Sequence, residues 1–224
     1  MMTTSVLFPR GTVYAAVLNF RGVLENLGDS LNEEPYKKQP VAPVLMIKPP
    51  STWIGHHDFI PCPAGVPQLR MGGTLAVVMG RTARQVKEAD ALAYVAGYTI
   101  ANDVSIPHES YYRQPLAQRC RDGFCPVATN LASLKNPDQV EIHTFINGDL
   151  CSSNTTANLV RPVARLIADV SEFMTLRAGD LLLVGEPENA PLAEIGDTVR
   201  VDIEDVGFLE NVIVAESSLA EHST

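Results

Sequence analysis

Three polar residues at the end of an apolar, β-forming run are the strongest candidates for chemistry in this sequence. Residues 96–101 form the run, and Asn102, Asp103 and Ser105 follow it. A strand with such an end presents an amide, a carboxylate and a hydroxyl from a rigid element, where they could bind a cation or orient a substrate. The same composition also fits a strand that ends in an Asx-turn and binds nothing.

Fixed positive charge lies close by, in a protein whose formal net charge is -9 and whose pI is about 5.0. Tyr112 and Arg113 precede Arg119 and Arg121, and Lys48 ends a separate apolar segment. Arginine binds carboxylates through paired hydrogen bonds, so these residues predict a pocket for an anionic substrate. The alternative for each arginine is a surface ion pair, and for Lys48 it is an ammonium that extends to solvent.

Composition limits the class of protein. A chain of 224 residues with 46% apolar content can bury a substantial core. No basic face or Lys/Arg run indicates nucleic acid binding, and no run approaches the 18 apolar residues of a membrane span. The four cysteines form no CxxC pair and are predicted to be reduced thiols. We therefore expect a soluble, cytoplasmic protein without a signal peptide.

Hydrophobic periodicity predicts more strands than helices. Strands are expected over residues 12–19, 44–48, 74–79, 96–102, 140–147, 150–153, 181–184, 198–204 and 209–214, and helices over 21–31, 86–94 and 158–173. Residues 51–70 are predicted to be an irregular connection, and residues 106–125 a loop with a helical turn. The pattern predicts a β-rich α+β fold with a few short helices. It favours one domain over residues 1–224, with an ordered core of about residues 12–215. No GxGxxG or P-loop is present, which argues against dinucleotide and NTP chemistry.

Several ordered motifs indicate a family. They are LAVVMG at 75–80, YVAGYTIANDVS at 94–105, NG at 147–148, NTT at 154–156, LRAGD at 176–180 and GFLEN at 207–211. Together they resemble the fumarylacetoacetate hydrolase superfamily. The segments SYYR at 110–113 and RCRDGFCP at 119–126 are most similar to its decarboxylases and isomerases of homoprotocatechuate (4-hydroxyphenylacetate) catabolism.

The resemblance implies a mixed β-roll, often dimeric, in which Mg²⁺ or Mn²⁺ binds the 2-oxo-carboxylate of the substrate and stabilises an enolate. It implies decarboxylation of 5-oxopent-3-ene-1,2,5-tricarboxylate or isomerisation of 2-hydroxyhepta-2,4-diene-1,7-dioate. Such enzymes are typically tandem duplications. Because this chain has the length of one half, we expect one subunit of a pair, a homodimer or a heterodimer with a homologous chain. The alternative is a structural subunit that has lost catalysis and needs a metal-bearing paralogue.

The resemblance also implies a metal ligand set that this chain matches only in part. Asp103 coincides with one ligand, but the two expected glutamates fall on Gly72 and Thr74. The expected proton-moving His and Glu fall on Val23 and Asn26. One carboxylate holds Mg²⁺ only weakly, so the divalent metal is expected to bind weakly or not at all in this chain.

Without a metal, cationic side chains could serve as the electron sink for decarboxylation. Asp103 and Arg119 are then the predicted catalytic residues, with His108 and Glu109 as further proton carriers; the alternative for these last two is an exposed loop. The predicted substrate-binding residues are Lys48, Tyr112, Arg113, Arg121, Thr155 and Thr156. Glu186 stands where the resemblance implies a threonine that contacts a substrate carboxylate.

Overall fold

Two five-stranded β-sheets form the scaffold of the protein. The computed structural model describes residues 11–108, 110–113 and 115–220. The first sheet has the spatial order β2 (Val44–Lys48), β1 (Val13–Val17), β11 (Leu181–Leu183), β6 (Gly73–Met79) and β7 (Val95–Asn102). The second has the order β10 (Asp149–Thr155), β9 (Glu141–Ile146), β13 (Thr198–Ile203), β14 (Gly207–Ala215) and β4 (Phe59–Cys62). Two short pairs complete the strands: β3 (Trp53–Ile54) with β8 (Cys125–Pro126), and β5 (Leu69–Arg70) with β12 (Leu192–Ala193).

The helices are few and mostly short. They are α1 (Arg21–Leu27), α2 (Leu116–Arg119), α3 (Val163–Phe173) and α4 (Glu216–Ala220), with 3-10 turns at Gly28–Asn32, Pro50–Thr52, Glu88–Tyr94 and Thr156–Asn158. The β-rich α+β fold is therefore confirmed. Helix α3 begins after Pro162, later than periodicity suggested, because a proline disfavours helical geometry in the residue before it. Among the described residues, no helix combines the length and the hydropathy that crossing a membrane requires.

Strand β6, an interior strand of the first sheet, is buried on both faces, as its continuous apolar sequence predicts. Its side chains alternate between two cores, because successive residues of a strand point to opposite sides of the sheet. Leu75 and Val77 pack into the core between the first sheet, the second sheet and α3. Ala76 and Val78 pack on the opposite face, against the β3–β8 pair. Strand β6 is thus held rigidly where it leads into the site described below.

The hairpin between β9 and β10 also follows the prediction. Asn147 and Gly148 have φ values of 53° and 89°, the left-handed geometry that a two-residue hairpin turn requires and that Asn-Gly adopts readily. Strand β10 pairs antiparallel with β9 from Asp149 opposite Ile146 onward. The Asn-Gly turn therefore sets how β9 and β10 pair in the second sheet.

The prediction of an irregular connection over residues 51–70 was wrong. This segment contains β3, β4 and β5, and β4 is an edge strand of the second sheet. Strand β4 pairs in parallel with β14, so Ile60 lies opposite Ile213. The partners of these short strands are far away in sequence, and periodicity over two to four residues cannot reveal them.

Candidate active site

The two outermost strands of the first sheet meet at their ends. Lys48 is the last residue of β2, and Asp103 follows directly after β7. The Lys48 ammonium donates a hydrogen bond of 2.8 Å to Asp103 Oδ1, and both side chains are almost completely buried. The sheet therefore coils strongly enough for its opposite edges to be joined by an ion pair. The Lys48 side chain is directed inward, not toward solvent.

Both carboxylate oxygens of Asp103 are bound by cations. Lys48 binds Oδ1, and Arg119 Nη2 donates to Oδ2 at 2.5 Å. Burial opposes ionisation of Asp103, but the charges of Arg119 and Lys48, with their hydrogen bonds, hold its pKa below the ordinary value. Asp103 is thus an ionised group whose acceptor sites are already engaged, and this makes it a weak base.

Arg119 is the central cation of the cluster and is 1% exposed. It ends the one-turn helix α2, and Lys48 Nζ fixes its backbone carbonyl through a hydrogen bond of 2.6 Å. Its Nη2 also bonds Glu186 Oε2 at 3.1 Å. Burial disfavours the charged guanidinium, but Asp103 and Glu186 raise its pKa, so it stays protonated. Its Nε and Nη1 atoms are buried without a partner in the part of the chain that the structure describes.

The Glu186 side chain fills the space that a side chain at residue 72 would need. A Cβ placed on Gly72 would lie 2.7 Å from the Asp103 carbonyl oxygen and 3.0 Å from Glu186 Cγ. Glu186 follows strand β11 and is 10% exposed. Its burial raises the pKa of the carboxyl group, and the Arg119 charge opposes this shift only in part. A small residue at position 72 therefore makes room for a carboxylate that comes from a different strand.

Arg119 and Glu186 border a cavity of about 270 Å³. Arg70 and Tyr111 add polar groups to it, and Arg70 Nη1 donates to the His108 carbonyl oxygen at 3.3 Å. The remaining lining is formed by Ala16, Val17, Leu18, Val23, Asn26, Leu27, Pro187, Glu188, Asn189 and Ala190. The cavity combines an apolar wall with two arginines and two glutamates, so it offers guanidinium donors for a small organic anion beside carboxylates that balance their charge.

His108 lies beside this cavity with a neutral ring. Its burial and the positive charges of Arg119 and Arg70 lower its pKa to about 4. The ring packs edge-on against Tyr111, with 5.2 Å between the ring centroids, and Nδ1 lies 3.2 Å from the Ser110 carbonyl oxygen. Its Nε2 is buried without a partner among the described residues. A neutral imidazole here can accept or relay a proton, and this proposed role stays a prediction.

Four predicted substrate-binding residues lie away from the cavity. Lys48 does not border the cavity, because it lies behind Asp103. Tyr112 is 53% exposed and Arg113 is exposed, with neither lining the cavity. Arg121 points away, toward Glu216 of α4, with 3.7 Å between Nη2 and Oε1.

The two predicted threonines have local structural contacts. Thr155 accepts a hydrogen bond from the Ala157 amide, and the buried Thr156 accepts one from the Val140 amide. Both hydroxyls therefore hold the turn after β10, and neither residue lines the cavity. Glu109 lies outside the described residues.

Arg70 and Tyr111 are the cavity residues that sequence reasoning missed. Arg70 lies in the segment predicted to be irregular, yet its backbone forms a bridge with Ser105, next to Asp103. No local pattern signals this pairing across the fold. Tyr111 lies within the SYYR motif, and only the structure shows that it, and not Tyr112, faces the cavity.

The residues around Asp103 do not fit a divalent cation. Residues 72 and 74 supply no carboxylate, and the buried Thr74 hydroxyl donates to the Leu75 carbonyl oxygen. Asp103 already binds two cations, which would repel a metal ion. Within the described parts of the chain, no group of three or more His, Cys, Asp or Glu side chains is arranged to hold a metal.

Comparison with known proteins settles the family. The model of the "Fumarylacetoacetate (FAA) hydrolase C-terminal" family matches residues 12–214. The chain belongs to the fumarylacetoacetate hydrolase family. It is 44% identical over 207 residues to an Escherichia coli 4-hydroxyphenylacetate degradation bifunctional isomerase/decarboxylase, with coverage of 92% of this chain and 48% of that protein. A Salmonella dublin protein of the same name is 40% identical, with coverage of 96% and 50%. The chain thus spans about half the length of these relatives.

Solved structures of the family share the fold. A 5-carboxymethyl-2-hydroxymuconate delta-isomerase from Mycobacterium smegmatis has a TM-score of 0.79 and 32% identity, with coverage of 94% of this chain and 80% of that chain. A fumarylpyruvate hydrolase from Pseudomonas aeruginosa, solved with Mn²⁺ and pyruvate, has a TM-score of 0.82 at 20% identity, with coverage of 96% and 94%. The second likeness concerns the fold alone, and its metal belongs to that protein.

Proposed function

We propose that this chain is a decarboxylase or isomerase of 4-hydroxyphenylacetate catabolism that acts on an unsaturated 2-oxo di- or tricarboxylate. The observation that carries the proposal is the buried Arg119 side chain, which borders a cavity shared with Arg70 and has two nitrogens without a partner among the described residues. Leaving a buried donor unpaired costs about 1–3 kcal/mol, which an anionic ligand would recover. The relatives named for this pathway support the same substrate class.

The proposed chemistry moves electrons toward a cation. In decarboxylation the bond between the carbon and the leaving carboxylate breaks, CO₂ departs, and the electron pair moves through the conjugated system to the oxo oxygen. Arg119 stabilises the resulting enolate through hydrogen bonds and charge. A proton then returns to carbon, and His108 and Glu109 remain the proton carriers predicted from the sequence. Asp103 orients Arg119 and does not take the proton, because its oxygens are engaged.

The test is CO₂ release from 5-oxopent-3-ene-1,2,5-tricarboxylate by the purified chain in EDTA. We expect turnover that falls at least about 100-fold in Arg119→Met, because a transition-state charge contact is lost. Arg119→Lys should recover only part of it, since an ammonium lacks the planar donor fork. Arg165→Met, which alters an arginine on the outer face of α3, is the matched control and should keep wild-type rates. Wild-type turnover that is unaffected by Arg119→Met would refute the proposal.

A second candidate is a structural subunit that pairs with a metal-bearing paralogue. The engagement of Asp103 by Lys48 and Arg119, and the absence of carboxylates at residues 72 and 74, favour it. It predicts no turnover by the chain alone and turnover after a paralogue with a Glu-x-Glu pair is added. Size-exclusion chromatography with light scattering of the mixture would then show a complex of the two chains.

A further inference from the structure

We infer that Arg119 fills a cation site formed by the Asp103 and Glu186 carboxylates, and that this guanidinium replaces the divalent metal of the family. The term cation site below means these two carboxylates. The inference concerns which cation the site holds, so its binding test does not depend on turnover. Only its extension to ligands of the 2-oxo acid type rests on the proposed function.

Arg119 places one nitrogen where two carboxylates converge. One nitrogen of Arg119, Nη2, lies within hydrogen-bond distance of Asp103 Oδ2 and Glu186 Oε2, at 2.5 and 3.1 Å. Two carboxylates that converge on one point are the usual protein contribution to a Mg²⁺ or Mn²⁺ site. Here that point is occupied by a covalently attached cation, which is present at every metal concentration.

Residues 72 and 186, which adjoin two different strands, share one region of space. Gly72 has no side chain; a Cβ there would clash with the Asp103 carbonyl oxygen at 2.7 Å and would press against Glu186 Cγ at 3.0 Å. The missing carboxylate at residue 72 and the extra carboxylate at residue 186 are therefore one structural change, because the second occupies the space of the first. Glu186 then holds Arg119 by an ion pair. Gly72, Glu186 and Arg119 form a unit in which a guanidinium is the compatible cation.

The net charge of the buried cluster also favours a guanidinium over a divalent metal ion. Lys48 and Arg119 contribute two positive charges, and Asp103 and Glu186 contribute two negative charges, so the buried cluster is neutral. A divalent ion would add two charges to a site that already holds its counterions. Removing Arg119 leaves the cluster with one negative charge and two converging carboxylates. The same pocket should then accept a divalent cation.

The remaining donors of Arg119 indicate the ligand. Nε and Nη1 are buried, lack a partner among the described residues, and belong to a side chain that borders the cavity. The Nε–H and Nη1–H groups lie on different edges of the planar guanidinium, so each can donate to a separate anion oxygen. Oxalate carries several acceptor oxygens and resembles the enolate of a 2-oxo acid. We therefore expect oxalate to bind the wild-type protein without any metal.

The decisive experiment is Mn²⁺ binding followed by electron paramagnetic resonance and calorimetry. Wild-type protein should bind no Mn²⁺ up to about 1 mM. Arg119→Ala should bind one equivalent of Mn²⁺ with a dissociation constant at least tenfold below about 1 mM. Glu186→Gln added to Arg119→Ala should weaken the new binding at least tenfold. Arg165→Ala is the control, since it frees the surface carboxylate of Glu88 and one oxygen of Asp169, whose other oxygen still binds Arg161, and it should create no such site.

A second arm begins with the wild-type protein, so this part does not depend on the folding of a variant. Wild-type protein in EDTA should bind oxalate, and added Mn²⁺ should not tighten this binding. If Arg119→Ala is folded by circular dichroism, guanidinium ion at millimolar concentration should displace its bound Mn²⁺. Wild-type Mn²⁺ binding, oxalate binding that needs a metal, or a folded Arg119→Ala that ignores Mn²⁺ would each overturn the inference. Absent turnover together with the expected Mn²⁺ results would refute only the proposed function.

Discussion

The substitution Asp103→Asn tests the buried ion cluster most directly. The four charges of Lys48, Arg119, Asp103 and Glu186 sum to zero, and the substitution leaves a net charge of +1 in a region where Lys48 is 0% and Arg119 is 1% exposed. Removing one partner of a buried pair costs about 3–5 kcal/mol, because the remaining charge lacks compensation. At about 2–4 °C per kcal/mol for a chain of this size, the melting temperature should fall by on the order of 10 °C.

Urea unfolding of a double-mutant cycle would measure this effect. Lys48→Met in the Asp103→Asn background removes the uncompensated charge, so the double variant should be less destabilised than the sum of the single variants by at least about 2 kcal/mol. Asp202→Asn is the control: its partner Arg200 is 40% exposed, and the loss should stay below about 1 kcal/mol. A cost below 1 kcal/mol for Asp103→Asn, or additive single effects, would show that the cluster does not behave as a buried charge network.

Three further predictions follow from other parts of the structure. Because His108 has a pKa of about 4 when folded and 6.5 ordinarily, only the unfolded chain gains this proton as the pH falls from 6.5 to 4. Between pH 6.5 and 4, the free energy of unfolding of the wild-type protein should therefore fall by about 1–2 kcal/mol more than that of His108→Gln, a figure reduced for the partial exposure of the ring. Urea unfolding at several pH values measures both, and the same pH dependence in the two proteins would contradict this prediction. Gly72→Ala should cost about 1–3 kcal/mol in the same assay, since its Cβ would lie 2.7 Å from a backbone oxygen; an unchanged midpoint would show that the site can relax. Iodoacetamide should label the exposed Cys151 long before the buried Cys125, whose pKa burial raises to about 12; mass spectrometry of the native protein would reveal any reversal.

Much of the fold was predictable because its signals are local. The strand over 74–79 is a continuous apolar run, and it is buried on both faces. The Asn147-Gly148 turn and the amphipathic α3 were likewise identified from neighbouring residues. The strands within residues 51–70 were missed because β4 exists through its pairing with β14, which lies about 150 residues away in the sequence.

For the candidate site, too, the sequence indicated some features and only the fold showed the others. Residue types alone indicated Asp103 and an arginine-rich segment, and the family resemblance implied that two metal-binding glutamates are replaced by Gly72 and Thr74. The sequence predicted a catalytic role for Arg119 and a substrate-binding role for Arg113, but it could not show which of the two is buried, because both are charged residues of one irregular segment. In the fold, Arg119 is the buried last residue of a helical turn, and Arg113 is exposed.

The amino-acid sequence by itself determined the family, the succession of strands and the residue types available for chemistry, since these depend on local pattern and motif. Only the tertiary structure decided which cations meet which carboxylates. The partners of Asp103 are 55 and 16 residues away in the sequence, and Arg119 and Glu186 are 67 residues apart. The coiling of the first sheet brings these residues together, and burial then makes their pairing obligatory, because an isolated charge in the core is too costly.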